Sequence, residues 1–372
     1  MSTQRALLLT SKTSPLSLRT IPIPAAVPGS VVVKVLSTYI LSYLTSVLDG
    51  TAPYAHSLPL VPGANTIGRV HAVGSDATVL SEGQLVFCDI TVRARDDPDV
   101  GILMGMHGGD AQAMKLMQGE WRNGSFAEYA RFPLENCFVL DEGLLCGEMG
   151  YSVEDLCAIP AYLTPFGGLA EINLLPGETI IIAPATGRFG GGAVTTALAM
   201  GATVVACGRN EATLSALKKT FAHTGRIETI ILAGDKETDT RAMIAASRNK
   251  GKGADAFLDF SPAAAAKSTH IAAVMAALRP FGRACFAGGI YGSVEIDYLG
   301  LMMRSLRIQG WLMYSREMVG RLIKMVEKGN LKLGERESGM RTVGRFGLEG
   351  VEEGMEMARR ERGWGKQVLL MP

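Results

Sequence analysis

Between Ile180 and Asn210 the chain reads IIIAPATGRFGGGAVTTALAMGATVVACGRN. An apolar, β-branched run from Thr179 to Ile182 meets a turn of small residues. A small-residue helix pattern, Gly191–Met200, follows, and then a second apolar run, Thr203–Cys207. Strand, turn, helix, strand is the order of a dinucleotide-binding unit. Within the turn Ala185-Thr186-Gly187-Arg188-Phe189-Gly190, Gly187 lets the backbone approach a pyrophosphate and Gly190 lets the helix pack closely on the sheet. The N–H groups of the first helical turn then hold the phosphates. Ala185 stands where the first glycine of such turns usually stands. The competing reading is a glycine-rich turn in an ordinary α/β domain.

The second strand runs into Cys207-Gly208-Arg209-Asn210. That is about 20 residues past the turn, where an acid would bind the ribose 2′-hydroxyl of NAD. No acid is there. Gly208 leaves room and Arg209 supplies a fork of donors suited to a 2′-phosphate, so the expected cofactor is NADP(H). The alternative is that Arg209 is a solvated residue at a helix start, next to Glu211.

At 372 residues the chain is long enough for two domains, and 47% hydrophobic residues suffice for two cores. Lysine and arginine number 37 against 36 acids, a balance that argues for neither nucleic acid nor membrane lipid as partner. The six cysteines are scattered, with no CxxC pair, as expected of reduced thiols. With no secretory pattern in MSTQRALLLTSKTSPLSLRT and no apolar run of membrane-span length, a cytoplasmic protein is expected.

Short β-rich runs (Arg5–Thr10, Val31–Leu36, Ile67–Val73) punctuated by Pro22, Pro24, Pro28 and Gly29 predict a small irregular barrel in the first part of the chain. Beyond about Val153 strand-like runs alternate with helix-like ones. The strands are Ile180–Ala183, Thr203–Cys207, Glu228–Leu232, Ala256–Asp259, Arg283–Ala287 and Leu306–Gly310. Helical patterns at Glu211–Thr220, Thr238–Ser247 and Ala263–Leu278 separate the later ones. The alternation predicts a doubly wound parallel sheet. Arg316–Lys328 has helical spacing, Gln367–Met371 reads as a last strand, and Thr91–Asn123 shows no clear pattern.

Further motifs stand in a fixed order: Pro28-Gly29-Ser30-Val31, Val61-Pro62-Gly63, Ala72-Val73-Gly74-Ser75, Gly124-Ser125-Phe126-Ala127-Glu128-Tyr129, Leu163-Thr164-Pro165-Phe166-Gly167, Leu175-Pro176-Gly177-Glu178 and Gly365-Lys366. Together with the glycine turn they make the chain resemble the medium-chain dehydrogenase/reductase superfamily over nearly its whole length. The resemblance implies a GroES-like β-rich catalytic domain, residues 1–155 completed by 315–372, around a Rossmann domain at 156–314. It implies a cofactor cleft between them and, from the Gln309–Tyr314 strand, a homodimer. By the same resemblance Thr164 faces the nicotinamide. Lys366 joins the cofactor residues, as do Phe260 and Ser261 after one strand and Gly288, Gly289 and Ile290 after the next.

The departures concern metals. Zinc-dependent members carry three ligands at a catalytic zinc. The corresponding places here fall near Leu41, at Ala64-Asn65 of Gly63-Ala64-Asn65, and near Ala161. Thr91–Asn123, where a structural zinc lobe would stand, holds no cysteine. No metal is expected at either place. A hydroxyl or amide donor then has to stabilise the developing oxyanion; Tyr54, Tyr43, Asn65 and Thr164 are the candidates. Tyr39 and Tyr43, four apart, also read as packing one face of a helical turn. Leu41, Leu58, Leu103, Met104 and Met106 suggest a hydrophobic substrate. The leading expectation is a zinc-independent NADPH-dependent reductase of an activated alkene. The alternatives are an NADPH-dependent carbonyl or alcohol oxidoreductase, and an NADP-binding protein with a non-redox cyclase, sensor or structural role.

Overall fold

The computed structural model describes residues 2–372. The chain forms two compact units: one holds the residues up to Ala158 together with Arg341–Arg362 and Lys366–Pro372, the other Ile159–Met340 and Gly363–Gly365. Among the described residues no helix is long and apolar enough to cross a membrane.

The second unit is built on six parallel strands: β1 (Thr179–Ala183), β2 (Thr203–Gly208), β3 (Ile227–Ile231), β4 (Ala254–Asp259), β5 (Leu278–Phe286) and β6 (Arg307–Gly310). Their spatial order is β3-β2-β1-β4-β5-β6, so the direction of winding reverses between β1 and β4. The connections carry helices α1 (Arg188–Ala199), α2 (Glu211–Thr220), α3 (Lys236–Ala246), α4 (His270–Ala277) and α5 (Tyr298–Met303). Both faces of β1 and β2 are covered, which is why they are continuous apolar runs without polar alternation. Ile180, Ile182, Val204 and Ala206 join one core with Val194 of α1 and Leu214 of α2. Ile181, Ala183, Val205 and Cys207 join another with Met243 of α3 and Ile271 and Val274 of α4.

Two features depart from the expected organisation of this unit. The helix expected over Ala263–Leu278 is a short 3₁₀ turn, Ala263–Ala265, and then α4; at the break the Ser268 hydroxyl pairs with the His270 ring and the Thr269 hydroxyl donates to the distant Gly234 carbonyl. Residues 315–340, expected to complete the first domain, fall in the second unit. Their helix, Arg316–Glu327, packs against the helix Ile159–Glu171, with the Arg321 guanidinium 5.9 Å from the centre of the Phe166 ring.

The first unit carries a seven-stranded, mainly antiparallel sheet. Its path runs Arg341–Phe346, Lys366–Leu370, Ser30–Tyr39, Thr66–Val73, Leu85–Cys88, Cys137–Val139, with Tyr129–Pro133 also paired to Ser30–Tyr39. The stretch without a sequence pattern, Thr91–Asn123, contains a hairpin (Thr91–Arg93 with Gly101–Leu103) and a helix, Ala111–Gln118. Asp110 caps that helix by accepting from the Ala113 N–H at 2.8 Å, and Ala113 and Met117, one turn apart, are its buried side. Tyr39 and Tyr43 do not share a helical face: Tyr39 ends a strand and is buried, while Tyr43 precedes the short helix Leu44–Leu48 and is exposed.

Helix α1 carries three consecutive glycines after Arg188 and Phe189, each required by a different neighbour. A Cβ at Gly190 would strike the Pro184 carbonyl, one at Gly191 the Trp364 ring and one at Gly192 the Ala161 carbonyl. The helix therefore lies closer to its surroundings than any side chain permits. Gly192→Ala is expected to destabilise the protein by about 1–3 kcal/mol despite alanine's better helix propensity, because a backbone carbonyl has to move. Gly320→Ala, in a helix where a Cβ meets open space, is expected to stabilise by roughly 0.5–1 kcal/mol. Chemical denaturation of the two variants measures both signs.

Candidate functional site

Helix α1 starts at Gly187, which has no side chain to cap it, and its first turn holds no acid. By contrast α2, α3 and α5 are capped by Asn210, Asp235 and Asp297, which accept from the N–H groups of Thr213, Thr238 and Gly300. A Cβ at Gly187 would meet nothing within 4 Å. No side chain caps this terminus and no acid opposes the positive end of its dipole, and that chemistry fits a dinucleotide pyrophosphate.

The turn is held from beneath by its own backbone. Ala185 N–H donates to the Cys207 carbonyl at 2.7 Å, Trp364 N–H donates to the Thr186 carbonyl at 3.0 Å, and Gly363 bridges to Gly187. Trp364 is buried, its indole set against Gly191 and Gly339 and tilted against Phe221. Phe189 stacks on Phe260 with ring centres 6.0 Å apart. At the end of β2, Gly208 is buried with Thr186 Cγ2 2.7 Å from the place of its absent Cβ, while Arg209 is exposed and, among the described residues, engages no hydrogen bond or ion pair. Gly288 and Gly289 are exposed and Ile290 is half-buried, just past the end of β5.

Ala185–Gly190, Gly208, Arg209, Phe260, Gly288 and Gly289 therefore all lie at the carboxyl ends of the strands or in the turns that follow. Asn210 also stands there, but its side-chain oxygen is committed to capping α2. The Ser261 hydroxyl is committed to Asp259 and His270. Thr164 is half-buried in the helix Ile159–Glu171. Lys366 belongs to the first unit, where its Nζ lies 2.6 Å from Glu361.

The remaining donors belong to the first unit. Tyr54 is half-buried and stacked on His107, ring centres 4.2 Å apart and planes 10° from parallel. The backbone brings the two segments together, Gly108 N–H donating to the Ala55 carbonyl at 2.8 Å. Asn65 is 2% exposed and donates to Asp89 Oδ1 at 3.3 Å. Tyr43 lies open to solvent. Sequence reasoning left out the partners His107, Asp89 and Trp364. Only Trp364 carried a local signal, a large aromatic between Gly363 and Gly365.

A zinc ion does not fit the residues at the expected ligand positions: Leu41, Ala64 and Ala161 carry no donor atom, and the Asn65 amide already serves Asp89. Among the described residues no three His, Cys, Asp or Glu gather as a metal would require. Cys88 and Cys137 pair across strands with their sulfurs 3.6 Å apart, and burial pushes the Cys137 thiol up, away from the thiolate a metal needs.

Known proteins share this architecture. Residues 27–142 match the alcohol dehydrogenase GroES-like domain, and residues 189–328 match the zinc-binding dehydrogenase domain. The chain belongs to the medium-chain dehydrogenase/reductase superfamily, a Rossmann sheet joined to a GroES-like β-rich unit. It is 28% identical over 206 residues to an alcohol dehydrogenase of Moraxella sp. (strain TAE123), a match covering 55% of this chain. The chain spans little more than half of that relative's length, 57%. Over its whole length it superposes on two solved structures with a TM-score of 0.78 and 18% identity to each, covering 100% of both. One is a zinc-binding dehydrogenase of Sinorhizobium meliloti 1021 bound to NADP. The other is an alcohol dehydrogenase of E. coli CFT073 complexed with NADH. At that identity the likeness establishes the fold.

The histidines beside Tyr54 give this region a pH signature. Neither ring nitrogen of His56 meets a partner among the described residues, and burial, with help from Lys12, holds its pKa below the ordinary value. Burial, opposed by the Gly108 backbone and reinforced by His56, lowers that of His107 as well. The folded protein therefore binds fewer protons than the unfolded chain, whose histidines titrate near about 6.5. The stability these groups contribute is complete above that pH and is lost as pH falls toward 5. Melting curves from pH 8 to pH 5 are expected to show a falling midpoint, and the double variant His56→Asn, His107→Asn is expected to flatten the fall.

Proposed function

We propose that this protein is an NADP(H)-dependent, zinc-independent oxidoreductase that passes a hydride to or from a hydrophobic substrate. The observation that carries the reading is the α1 terminus without a side-chain cap or an acid, beside an exposed Arg209 and with no acid at the end of β2. The N–H groups of Gly187 and its successors bind the pyrophosphate, and Arg209 pairs with the 2′-phosphate. When bound, the nicotinamide supplies or accepts the hydride. The chain supplies position and a donor for the oxygen on which negative charge develops, and Tyr54, fixed in orientation by its stack on His107, is the first candidate.

Two substrate classes compete. Reduction of an activated alkene suits ligand positions filled by Leu41 and Ala64, since hydride enters at the β-carbon and the α-carbon takes a proton without Lewis-acid help. Carbonyl and alcohol interconversion is supported by the alcohol dehydrogenase relatives. A second copy of the chain is the proposed partner. In support, the outer edge of β6 is unpaired among the described residues, and Tyr298, Leu299, Met302, Met303 and Leu312 near it are all more than half exposed.

Titration with NADPH and NADH, read by nicotinamide fluorescence, and turnover on enones, aldehydes and ketones test the reading. Arg209→Ala is expected to weaken NADPH binding by about tenfold or more and leave NADH binding nearly unchanged, the loss of a charge-assisted phosphate contact. Equal losses would sink the 2′-phosphate assignment. Tyr54→Phe is expected to lower turnover by roughly two orders of magnitude with cofactor affinity retained. Light scattering is expected to give a dimer mass that Leu299→Glu with Met303→Glu halves.

A further inference from the structure

A buried chain of hydrogen bonds closes the end of β4. Asp259, Ser261 and His270 are each at most 3% exposed. The Ser261 hydroxyl donates to the Asp259 carboxylate. His270 Nε2 lies 2.8 Å from the same hydroxyl oxygen and 3.7 Å from Asp259 Oδ1. On the other side of the ring, Nδ1 lies 2.8 Å from the hydroxyl of Ser268, which is exposed. Donor counting fixes the directions. A serine has one proton, and Ser261 gives it to the carboxylate, so Nε2 must be the donor to Ser261, while Nδ1 pairs with the Ser268 hydroxyl.

Ser261 is also the seat of the loop that follows β5. Gly289 N–H donates to the Ser261 carbonyl at 2.7 Å, and Ala287 N–H donates to the Asp259 carbonyl at 3.1 Å. A Cβ at Gly288 would lie 2.6 Å from Asp259 Oδ2 and from the Ser261 backbone, so this loop rests directly on the Asp259–Ser261 pair. Gly289, one residue on, has open space where a Cβ would stand.

We infer that His270 is a positioning residue for cofactor binding: it locks Ser261, and Ser261 sets the height and orientation of the Gly288–Gly289 backbone. His270 sits at the first position of α4 and meets Ser261 at Nε2, so its effect on the loop passes through the Asp259–Ser261 pair. Without its Nε2–H, the buried Ser261 oxygen loses a donor and is held by its bond to Asp259 on one side alone, which loosens the residue whose carbonyl holds Gly289. The inference rests on the reading that a nicotinamide cofactor binds at these strand ends.

The experiment uses the full chain and three variants: His270→Leu, His270→Gln and Ser268→Ala. The first readout needs no cofactor. Amide hydrogen exchange at Gly289 is expected to quicken by about tenfold in His270→Leu while the amides of β1 and β2 keep their protection. His270→Gln, whose amide N–H can replace the donor, is expected to restore it to within about threefold. Nitrogen-15 spectra of the wild-type imidazole are expected to show the Nε2–H tautomer. The second readout is NADPH affinity by fluorescence, expected to fall about tenfold in His270→Leu and to recover in His270→Gln, although both variants lose melting temperature alike. Ser268→Ala, at an exposed position, tests the outer end of the chain and is expected to move Gly289 exchange in the same direction by a smaller factor, whether or not the His270 variants fold. Unchanged Gly289 exchange in His270→Leu and Ser268→Ala, an Nδ1–H tautomer, or equal NADPH affinity in the Leu and Gln variants would overturn the inference. A wild-type protein that binds neither NADPH nor NADH would overturn the proposed function instead, with the exchange and tautomer results still reading the His270 chain.

Discussion

The glycine run at the start of α1 is the contact on which the second unit depends. A helix that begins Arg188-Phe189-Gly190-Gly191-Gly192 is a poor helix by propensity, since each glycine costs roughly 1 kcal/mol relative to alanine. What those residues secure is proximity: to the Pro184 carbonyl, to the Trp364 ring and to the helix Ile159–Glu171 through the Ala161 carbonyl. A helix drawn in this far brings its N-terminal N–H groups level with the end of β1, where the winding of the sheet reverses. The same residues that weaken the helix locally shape the place proposed to hold the cofactor's pyrophosphate, so in that proposal packing and binding are one requirement.

The parallel sheet was legible because its central strands are buried on both faces. Thr179–Ala183 and Thr203–Gly208 show unbroken apolar runs for that reason, and each lies within a residue of its expected bounds. The Ala263–Leu278 pattern misled because composition favours a helix there, while at the break Thr269 is tied to the Gly234 carbonyl, a contact between segments far apart in sequence that local composition does not encode. In Thr91–Asn123 the signals existed, an Asp110 cap and buried residues one turn apart, but they span too few residues to rise above the glycines around them. The helix Arg316–Glu327 was legible as amphipathic. Its pattern states that one face is buried and is silent on what it packs against, which is why its unit was misjudged.

The candidate site divides along the same line. The glycine turn and the absence of an acid after β2 are statements about backbone and charge, and both can be read locally. The stack of Tyr54 on His107 and the bond between Asn65 and Asp89 join segments far apart in sequence, and no spacing encodes them. The hydrogen-bond chain behind Ser261 has the same character: Ser261 is placed by the rule that ligands gather at strand ends, whereas its dependence on His270 exists only in three dimensions.

Gly363–Gly365 enter the second unit while Arg362 on one side and Lys366 on the other belong to the first. During synthesis these three residues leave the ribosome after the whole parallel sheet, so a nascent chain that holds every strand of it still lacks the indole between Gly191 and Gly339 and the backbone strap on Thr186 and Gly187. The glycine turn is thus completed by residues that follow the whole parallel sheet in the chain, and a ligand that needs the finished turn has nothing to bind until they are in place.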